Sequence, residues 1–159
     1  AAKYYQHFLD QGFEDHRVFS NYGVILNSLG KSQEAELSCR KAIDIKPDYA
    51  AAHYNLGSIL KHHGKLDDAE LSYRKAIEIK PNYANAHYNL GIILKDFGKV
   101  DNALSYLYKA IELGQDHNLC LCAIGEVLLK KGNYAEGISK LKAGAGAIQF
   151  DLEYGLSIS

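Results

Sequence analysis

Residues 50–83 have the sequence AAAHYNLGSILKHHGKLDDAELSYRKAIEIKPNY, and residues 84–117 have the sequence ANAHYNLGIILKDFGKVDNALSYLYKAIELGQDH. The two stretches are identical at 18 of 34 positions without a gap, and residues 16–49 match residues 50–83 at 18 positions as well. A short period that recurs along a chain is typical of a solenoid, in which each unit stacks on its neighbours. The sequence therefore predicts an array built from one 34-residue unit.

Each unit is predicted to form two helices. Leu56 and Leu60 have the four-residue spacing of a buried helical stripe. Gly64 is expected to end this first helix, because a closing residue in the left-handed region is least strained when it is glycine. Asp67 is expected to cap the second helix, and Pro81 to stop it. The predicted fold class is therefore all-α.

The unit resembles the tetratricopeptide repeat, over about residues 16–142. The signature positions of that family are occupied here by His53, Leu56, Gly57, Leu60, Ala69, Tyr73 and Pro81. The sequence departs from the signature where His53 and His87 replace a tryptophan, Gln115 replaces a proline and Gly137 replaces an alanine. The resemblance implies a right-handed α-α superhelix of stacked antiparallel helix pairs.

The 34-residue frame divides the chain into six parts. Complete repeats are expected at residues 16–49, 50–83 and 84–117, and a degenerate fourth repeat at residues 118–143. Residues 1–15 are interpreted either as the second helix of an upstream repeat that lacks its first helix or as an N-terminal cap. Residues 144–159 are expected to be irregular, as the start of a missing domain or as a tail over the last helix pair. Both ends indicate an excerpt from a longer polypeptide.

In this family the first helix of each unit lines the concave side of the superhelix, and a ligand groove is expected there. The predicted groove residues are Asn21, Asn55, Asn89, Tyr54, Tyr88, Ser58, Ile92, Lys61 and Lys95, and the frame adds Ser20, Val24 and Asn27 from the first unit. The tyrosines offer flat contact surface and the lysines a basic edge. The clamp for chaperone tails found in another branch of the family requires a lysine at the Tyr54 position and an asparagine at the Ser58 position, and this chain has neither.

Three asparagines occupy one column of the frame, at positions 21, 55 and 89. An amide donates and accepts hydrogen bonds, so spaced copies can bind the backbone of an extended peptide. The column resembles the asparagine ladder in the arms of O-linked N-acetylglucosamine transferases, although Ala123 interrupts it in the fourth unit. The alternative is that these asparagines are solvated or bridge neighbouring helices.

Composition gives little indication of partners other than proteins. The 18 basic and 19 acidic residues nearly balance, which indicates neither a nucleic acid nor an acidic membrane surface as partner. There is no apolar run long enough to span a bilayer and no signal-peptide core near the start. A cytoplasmic location is expected from the lack of either segment, and the three cysteines, an odd number, favour reduced thiols.

Two pairs of metal-binding residue types are interpreted as structural. Cys120 and Cys122 lack a second pair at metal-ligand spacing, and His62 and His63 lie at a helix end. We find no catalytic motif, so neither an enzyme activity nor a metal or other cofactor is expected.

The sequence favours a protein-protein interaction scaffold that binds an extended peptide or a partner helix in the groove. The alternative is a self-associating or spacer arm of a larger protein, which would recruit substrate for a fused enzyme domain such as a glycosyltransferase or an oxygenase.

Overall fold

A computed structural model describes residue 12 and residues 14–145, and in that part of the chain it shows helices and turns without a β-strand. The helices are α1 His16–Ser28, α2 Ser32–Ile45, α3 Ala50–His62, α4 Leu66–Ile79, α5 Ala84–Asp96, α6 Val100–Glu112, α7 His117–Lys130 and α8 Tyr134–Gly144. Successive helices pack as antiparallel pairs, and the pairs stack into a right-handed superhelix. The predicted fold class is thus confirmed. The interpretations of residues 1–11 and 146–159 lie outside the described residues.

The turn inside each pair closes on a glycine with a positive φ, as the sequence predicts. The angle is 77° at Gly30, 73° at Gly64, 72° at Gly98 and 84° at Gly132. In the second pair, the Gly64 amide donates to Lys61 (3.1 Å) and the Lys65 amide to Leu60 (3.0 Å), which satisfies carbonyls that the helix end leaves free. Since left-handed backbone is strained for residues with a Cβ, glycine recurs here at every turn.

The expectation that Asp67 caps the second helix is wrong. Helix α4 begins at Leu66, its N-cap residue is Lys65, and no side chain caps it. The tight turn leaves no room for a further residue, so Asp67 falls inside the first helical turn. There its carboxylate still interacts favourably with the positive end of the helix dipole. Asp101 takes the same place in α6, which begins at Val100.

Within a pair, the two helices approach each other most closely at a glycine of the first helix. A Cβ on Gly57 would lie 2.9 Å from Cε1 of Tyr73, and one on Gly91 would lie 2.8 Å from Cγ of Leu107. Both of those larger side chains are fully buried. Since real Cβ atoms essentially never come this close to another atom, glycine is what permits the crossing.

The fourth pair uses two glycines at the same crossing. A Cβ on Gly125 would lie 2.8 Å from the carbonyl oxygen of Gly137, and one on Gly137 would lie 3.0 Å from the carbonyl oxygen of Gly125. The backbones of α7 and α8 are therefore in near contact. This packing explains why glycine replaces the usual alanine at position 137.

One hydrophobic core runs through the stacked pairs, from Leu26 in α1 to Leu128 in α7. Its fully buried side chains include Ile59, Ile93 and Val127, which recur at one frame position in successive units. The charged residues Glu34, Arg40, Lys41 and Asp44 of α2 are all exposed. Across residues 14–145, no helix combines the length and apolar character that crossing a membrane requires.

Ion pairs link the second helices of neighbouring units. Glu36 of α2 pairs with Arg40 of its own helix at 2.7 Å and with Lys65 of the next unit at 2.9 Å. Hydrogen bonds from these two cations, Arg40 first, hold the pKa of Glu36 below its ordinary value. Glu70 repeats the arrangement one unit later, with Arg74 at 2.7 Å and Lys99 at 3.3 Å.

Candidate binding face

The predicted groove residues lie on the first helices α1, α3 and α5, and together they are here called the first-helix face. It consists of Asn21 in α1, of Tyr54, Asn55, Ser58 and Lys61 in α3, and of Tyr88, Asn89, Ile92 and Lys95 in α5. Asn21 is exposed and the other eight are half-buried. Of the three further residues that the frame adds, Val24 is exposed and Asn27 half-buried, but Ser20 is fully buried. The expectation that Ser20 faces a ligand is therefore wrong.

Two of the three column asparagines bridge neighbouring units. Nδ2 of Asn55 donates to Oγ of Ser20 at 2.9 Å, and Nδ2 of Asn89 donates to the Tyr54 hydroxyl at 3.3 Å. Both bonds span 35 residues, so the same contact recurs with the repeat. It explains why Ser20 is buried, since a short side chain at that position draws the amide inward. Each bridging amide group retains a second N–H beyond the one used in the bridge.

The Tyr54 ring is fixed by its neighbours. It lies 4.8 Å from the ring of Tyr83 and 5.8 Å from the ring of Tyr73, centroid to centroid. The Tyr73 hydroxyl donates to Oγ of Ser58 at 3.1 Å, and Ser58 in turn donates to the Tyr54 carbonyl at 3.1 Å. Ser58 and Tyr54 therefore belong to one hydrogen-bonded cluster that holds this part of the face in shape.

The two lysines of the face have different partners. Lys95 forms an ion pair with Glu126 of α7. Nζ of Lys61 donates to Oδ1 of Asn89 at 3.0 Å, which is a neutral acceptor. Burial lowers the pKa of Lys61, Asp96 opposes this shift and the positive charge of Lys95 adds to it. Of the two lysines, Lys61 is therefore the one without an ion-pair partner.

Sequence reasoning did not identify Glu126 as part of this surface. Glu126 occupies the frame position of Ser58 and Ile92, so counting the frame into the fourth unit would have placed it beside the groove residues. Tyr83, which stacks on Tyr54, was likewise not included, because it lies in the loop before α5 and not on a first helix.

The histidines at the tryptophan positions belong to the packing between helices. Nε2 of His53 lies 2.9 Å from the carbonyl oxygen of Pro47, and Nε2 of His87 lies 2.9 Å from that of Pro81. Because a carbonyl can only accept, the ring proton lies on Nε2 in both. Nδ1 of His87 is buried without a hydrogen-bond partner. The histidine at this tryptophan position therefore leaves one ring nitrogen unsatisfied.

The cysteine and histidine pairs do not converge on a common point. Cys39 and Cys120 are buried, Cys122 is half-buried, and burial raises the pKa of Cys39 to about 12 and that of Cys120 to about 11. Among the described residues, no three histidine, cysteine or acidic side chains come together as a metal site. Nε2 of His63 instead contacts Oδ1 of Asn27 at 3.2 Å.

Family models of the tetratricopeptide repeat match the chain in four overlapping stretches. A model described as TPR repeat matches residues 59–98. Two models described as Tetratricopeptide repeat match residues 38–70, and residues 16–49 together with 84–117. The stretches together cover residues 16–117 without a gap. None of the curated proteins compared with this sequence matches it.

Several solved structures share the fold. A crystal structure of MamA superposes with a TM-score of 0.81 at 23% sequence identity, over 91% of this chain and 84% of that one. A MamA fragment from Desulfovibrio magneticus RS-1 superposes equally well, at 0.81 and 18% identity, over 91% and 81% of the two chains. An O-GlcNAc transferase of Thermobaculum terrenum has a TM-score of 0.65 at 26% identity, over 71% of this chain and 22% of its own.

Proposed function

The chain belongs to the tetratricopeptide repeat family, and from that premise we propose that it is a protein-interaction scaffold whose first-helix face binds an extended peptide. The general scaffold role follows from the repeats themselves. The peptide-binding role rests chiefly on one observation: the amide groups of Asn55 and Asn89 each donate a hydrogen bond to a hydroxyl group of the preceding unit.

Fixed amides are suited to a ligand with a regular backbone. The bonds to Ser20 and Tyr54 restrict the rotamers of Asn55 and Asn89 before any ligand arrives, so less entropy is lost on binding. The second N–H of each amide supplies a donor, and equivalent donors recur once per unit. An extended peptide presents carbonyl acceptors at regular intervals, whatever its side chains. The face would therefore recognise backbone through the asparagines and leave selectivity to other residues.

The test uses peptides, because a native partner is not required to probe backbone recognition. An array of random nonapeptides with amidated C-termini is probed with the purified chain, and the strongest binder is titrated by calorimetry. Asn55→Ala combined with Asn89→Ala is expected to weaken binding by about 5–150-fold, the equivalent of about 1–3 kcal/mol. Asn102→Ala, an exposed asparagine on the second helix α6, is the matched control and should leave affinity unchanged.

Equal affinity of the double variant and the parent would refute the asparagine contribution, provided that far-UV circular dichroism shows both folded. Since Asn89 also accepts from Lys61, the single variants are measured as well. Asn55→Ala leaves the Lys61 contact in place, so a loss of affinity in that variant reports on the amide alone.

A second candidate function is self-association through the opposite side. Leu37 and Leu71 occupy one frame position on the second helices and are 67% and 66% exposed. Repeated exposed leucines favour contact with another protein surface, including a second copy of the chain. Light scattering across a concentration series would support this function if the parent dimerises and Leu37→Ser combined with Leu71→Ser does not. A spacer role beside a fused glycosyltransferase or oxygenase remains the wider alternative, motivated by the transferase neighbour.

A further inference from the structure

We propose that the first-helix face selects extended peptides carrying an aspartate or glutamate side chain, and that Lys61 binds its carboxylate. The inference rests on the proposed function and adds the chemistry of the partner to it.

Lys61 differs from most lysines of the described chain in having no carboxylate partner. Eight others have a carboxylate oxygen within 4.0 Å of Nζ, namely Lys31, Lys41, Lys65, Lys75, Lys95, Lys99, Lys109 and Lys131. Lys46, Lys80 and Lys130 have none but are exposed, so water solvates them. Lys140 is half-buried and also has none, but it lies on α8, outside the first-helix face. Lys61 is half-buried, and its Nζ reaches only the neutral amide oxygen of Asn89, at 3.0 Å.

A partly buried ammonium without a counter-ion is incompletely satisfied. Lysine has three N–H donors, and Asn89 accepts one of them. Removing a cation from water is unfavourable unless an anion or strong acceptors replace the water. The lowered pKa of Lys61 has the same cause, since burial disfavours its charged form. A ligand carboxylate at this point would restore the charge balance and accept the remaining donors.

The groups around Lys61 favour an anion. The Nδ2 group of Asn89 and the Tyr54 hydroxyl lie in the same hydrogen-bonded chain, and both can donate to an incoming oxygen. Asp96 acts on Lys61 electrostatically but forms no ion pair with it. The charge of Lys95 is already balanced by Glu126, so one uncompensated cation remains here. A single cation matches one carboxylate better than the closely spaced phosphates of a nucleic acid.

The position of Lys61 indicates a side-chain carboxylate and not a chain end. Asn55 and Lys61 lie on α3, and Asn89 lies on the adjacent first helix α5. A peptide that follows the two asparagines passes Lys61 on its way from one unit to the next. Its side chain at that point, and not its terminus, would be adjacent to Nζ.

The experiment compares matched peptides on matched variants. From the amidated array, one binder with a single acidic residue is resynthesised with glutamate replaced by glutamine. The parent chain should bind the glutamate peptide about tenfold or more tightly than its glutamine counterpart, as expected for a charged hydrogen bond. For Lys61→Gln that preference should fall below about twofold, while Lys61→Arg should retain most of it. Lys75→Gln, an exposed α4 lysine paired with Glu78, is the control and should behave as the parent does.

Three results would overturn the proposal. The first is an array whose binders show no enrichment in acidic residues, although Asn55→Ala still lowers their affinity. That result would refute the acidic preference and leave the proposed peptide groove supported. The second is equal weakening of both peptides by Lys61→Gln, which indicates a general loss of shape. The third is a glutamine peptide whose affinity rises to that of the glutamate peptide once it is resynthesised with a free C-terminal carboxylate, because Lys61 would then bind a chain end. An array without any binder would instead refute the proposed groove, and the acidic preference with it.

Discussion

Gly91→Ala is expected to destabilise the fold even though alanine is the better helix former. The added Cβ would lie 2.8 Å from Cγ and 3.0 Å from Cδ2 of Leu107, and 3.3 Å from the carbonyl oxygen of Ala103. Leu107 is fully buried, and the Ala103 oxygen belongs to the backbone of α6, so neither can move without repacking the pair.

The magnitude follows from two opposing terms. Overpacking a core by one carbon costs about 1–3 kcal/mol, and replacing glycine by alanine inside a helix returns about 1 kcal/mol. Because the 2.8 Å contact is closer than real Cβ atoms essentially ever come, the overpacking cost lies in the upper part of its range, and we expect a net loss of about 1–2 kcal/mol in the free energy of unfolding. Leu107→Ala alone should cost about 2–5 kcal/mol through the cavity that it leaves. In the double variant the new methyl group enters that cavity, so the combined loss should be smaller than the sum by about 1 kcal/mol or more.

The free energy of unfolding of the parent, the two single variants and the double variant is measured by equilibrium urea unfolding, followed by far-UV circular dichroism. The urea concentration at the transition midpoint should fall, while the slope of the free energy of unfolding against urea concentration stays constant, because the surface area exposed on unfolding barely changes. Ser105→Ala, an exposed position of α6, is the control and should lie within about 0.5 kcal/mol of the parent. Two results would refute the reasoning. Additive losses would show that the added methyl group is not in conflict with Leu107, and a Gly91→Ala variant as stable as the parent would show that α5 and α6 tolerate a Cβ at their crossing.

The remaining predictions concern the ion-pair network and the thiols. The pKa of Glu36 is lowered in the folded state, so its contribution to stability is present above the unfolded pKa and lost as pH falls through the folded pKa. In urea titrations, Glu36→Gln should therefore lower the free energy of unfolding by about 0.5–1 kcal/mol at pH 7 and by less at pH 3. Glu34→Gln, which removes an exposed ion pair on the same helix, is the control and should lower it little at either pH. Iodoacetamide at pH 8 should modify half-buried Cys122 in the native protein and Cys39 only in urea, because Cys39 is fully buried and its pKa is raised to about 12. Labelling of Cys39 in the native protein, detected by peptide mass spectrometry, would contradict the described core.

The sequence was sufficient for the features that repeat. Glycine at the turn and glycine at the crossing are enforced by backbone geometry, so Gly64 and Gly57 indicate both without knowledge of neighbouring units. The register of the first helix could also be predicted, since Leu56 and Leu60 are both buried, whereas the assignment of the groove residues to a ligand stays a prediction. The boundaries of the repeats at residues 16, 50, 84 and 118 stay a prediction.

The hydrogen bonds between units could not be predicted in the same way. Whether Asn55 faces a ligand or bonds to Ser20 depends on the stacking distance between units and on side-chain length, neither of which a frame position specifies. The missing cap at Asp67 has a similar origin, because a shift of two residues in the start of α4 moves the carboxylate from the cap into the first turn.

The most direct test of the account is to locate a bound peptide on the folded chain. Backbone amide chemical shifts are recorded while the strongest array binder is titrated into the isotope-labelled protein. The account predicts that the largest shifts cluster at Tyr54, Asn55, Lys61 and Asn89 on the first helices, with little change along α4 and α6. Shifts concentrated around Leu71 on the second helices would contradict it, because the peptide would then occupy the opposite face.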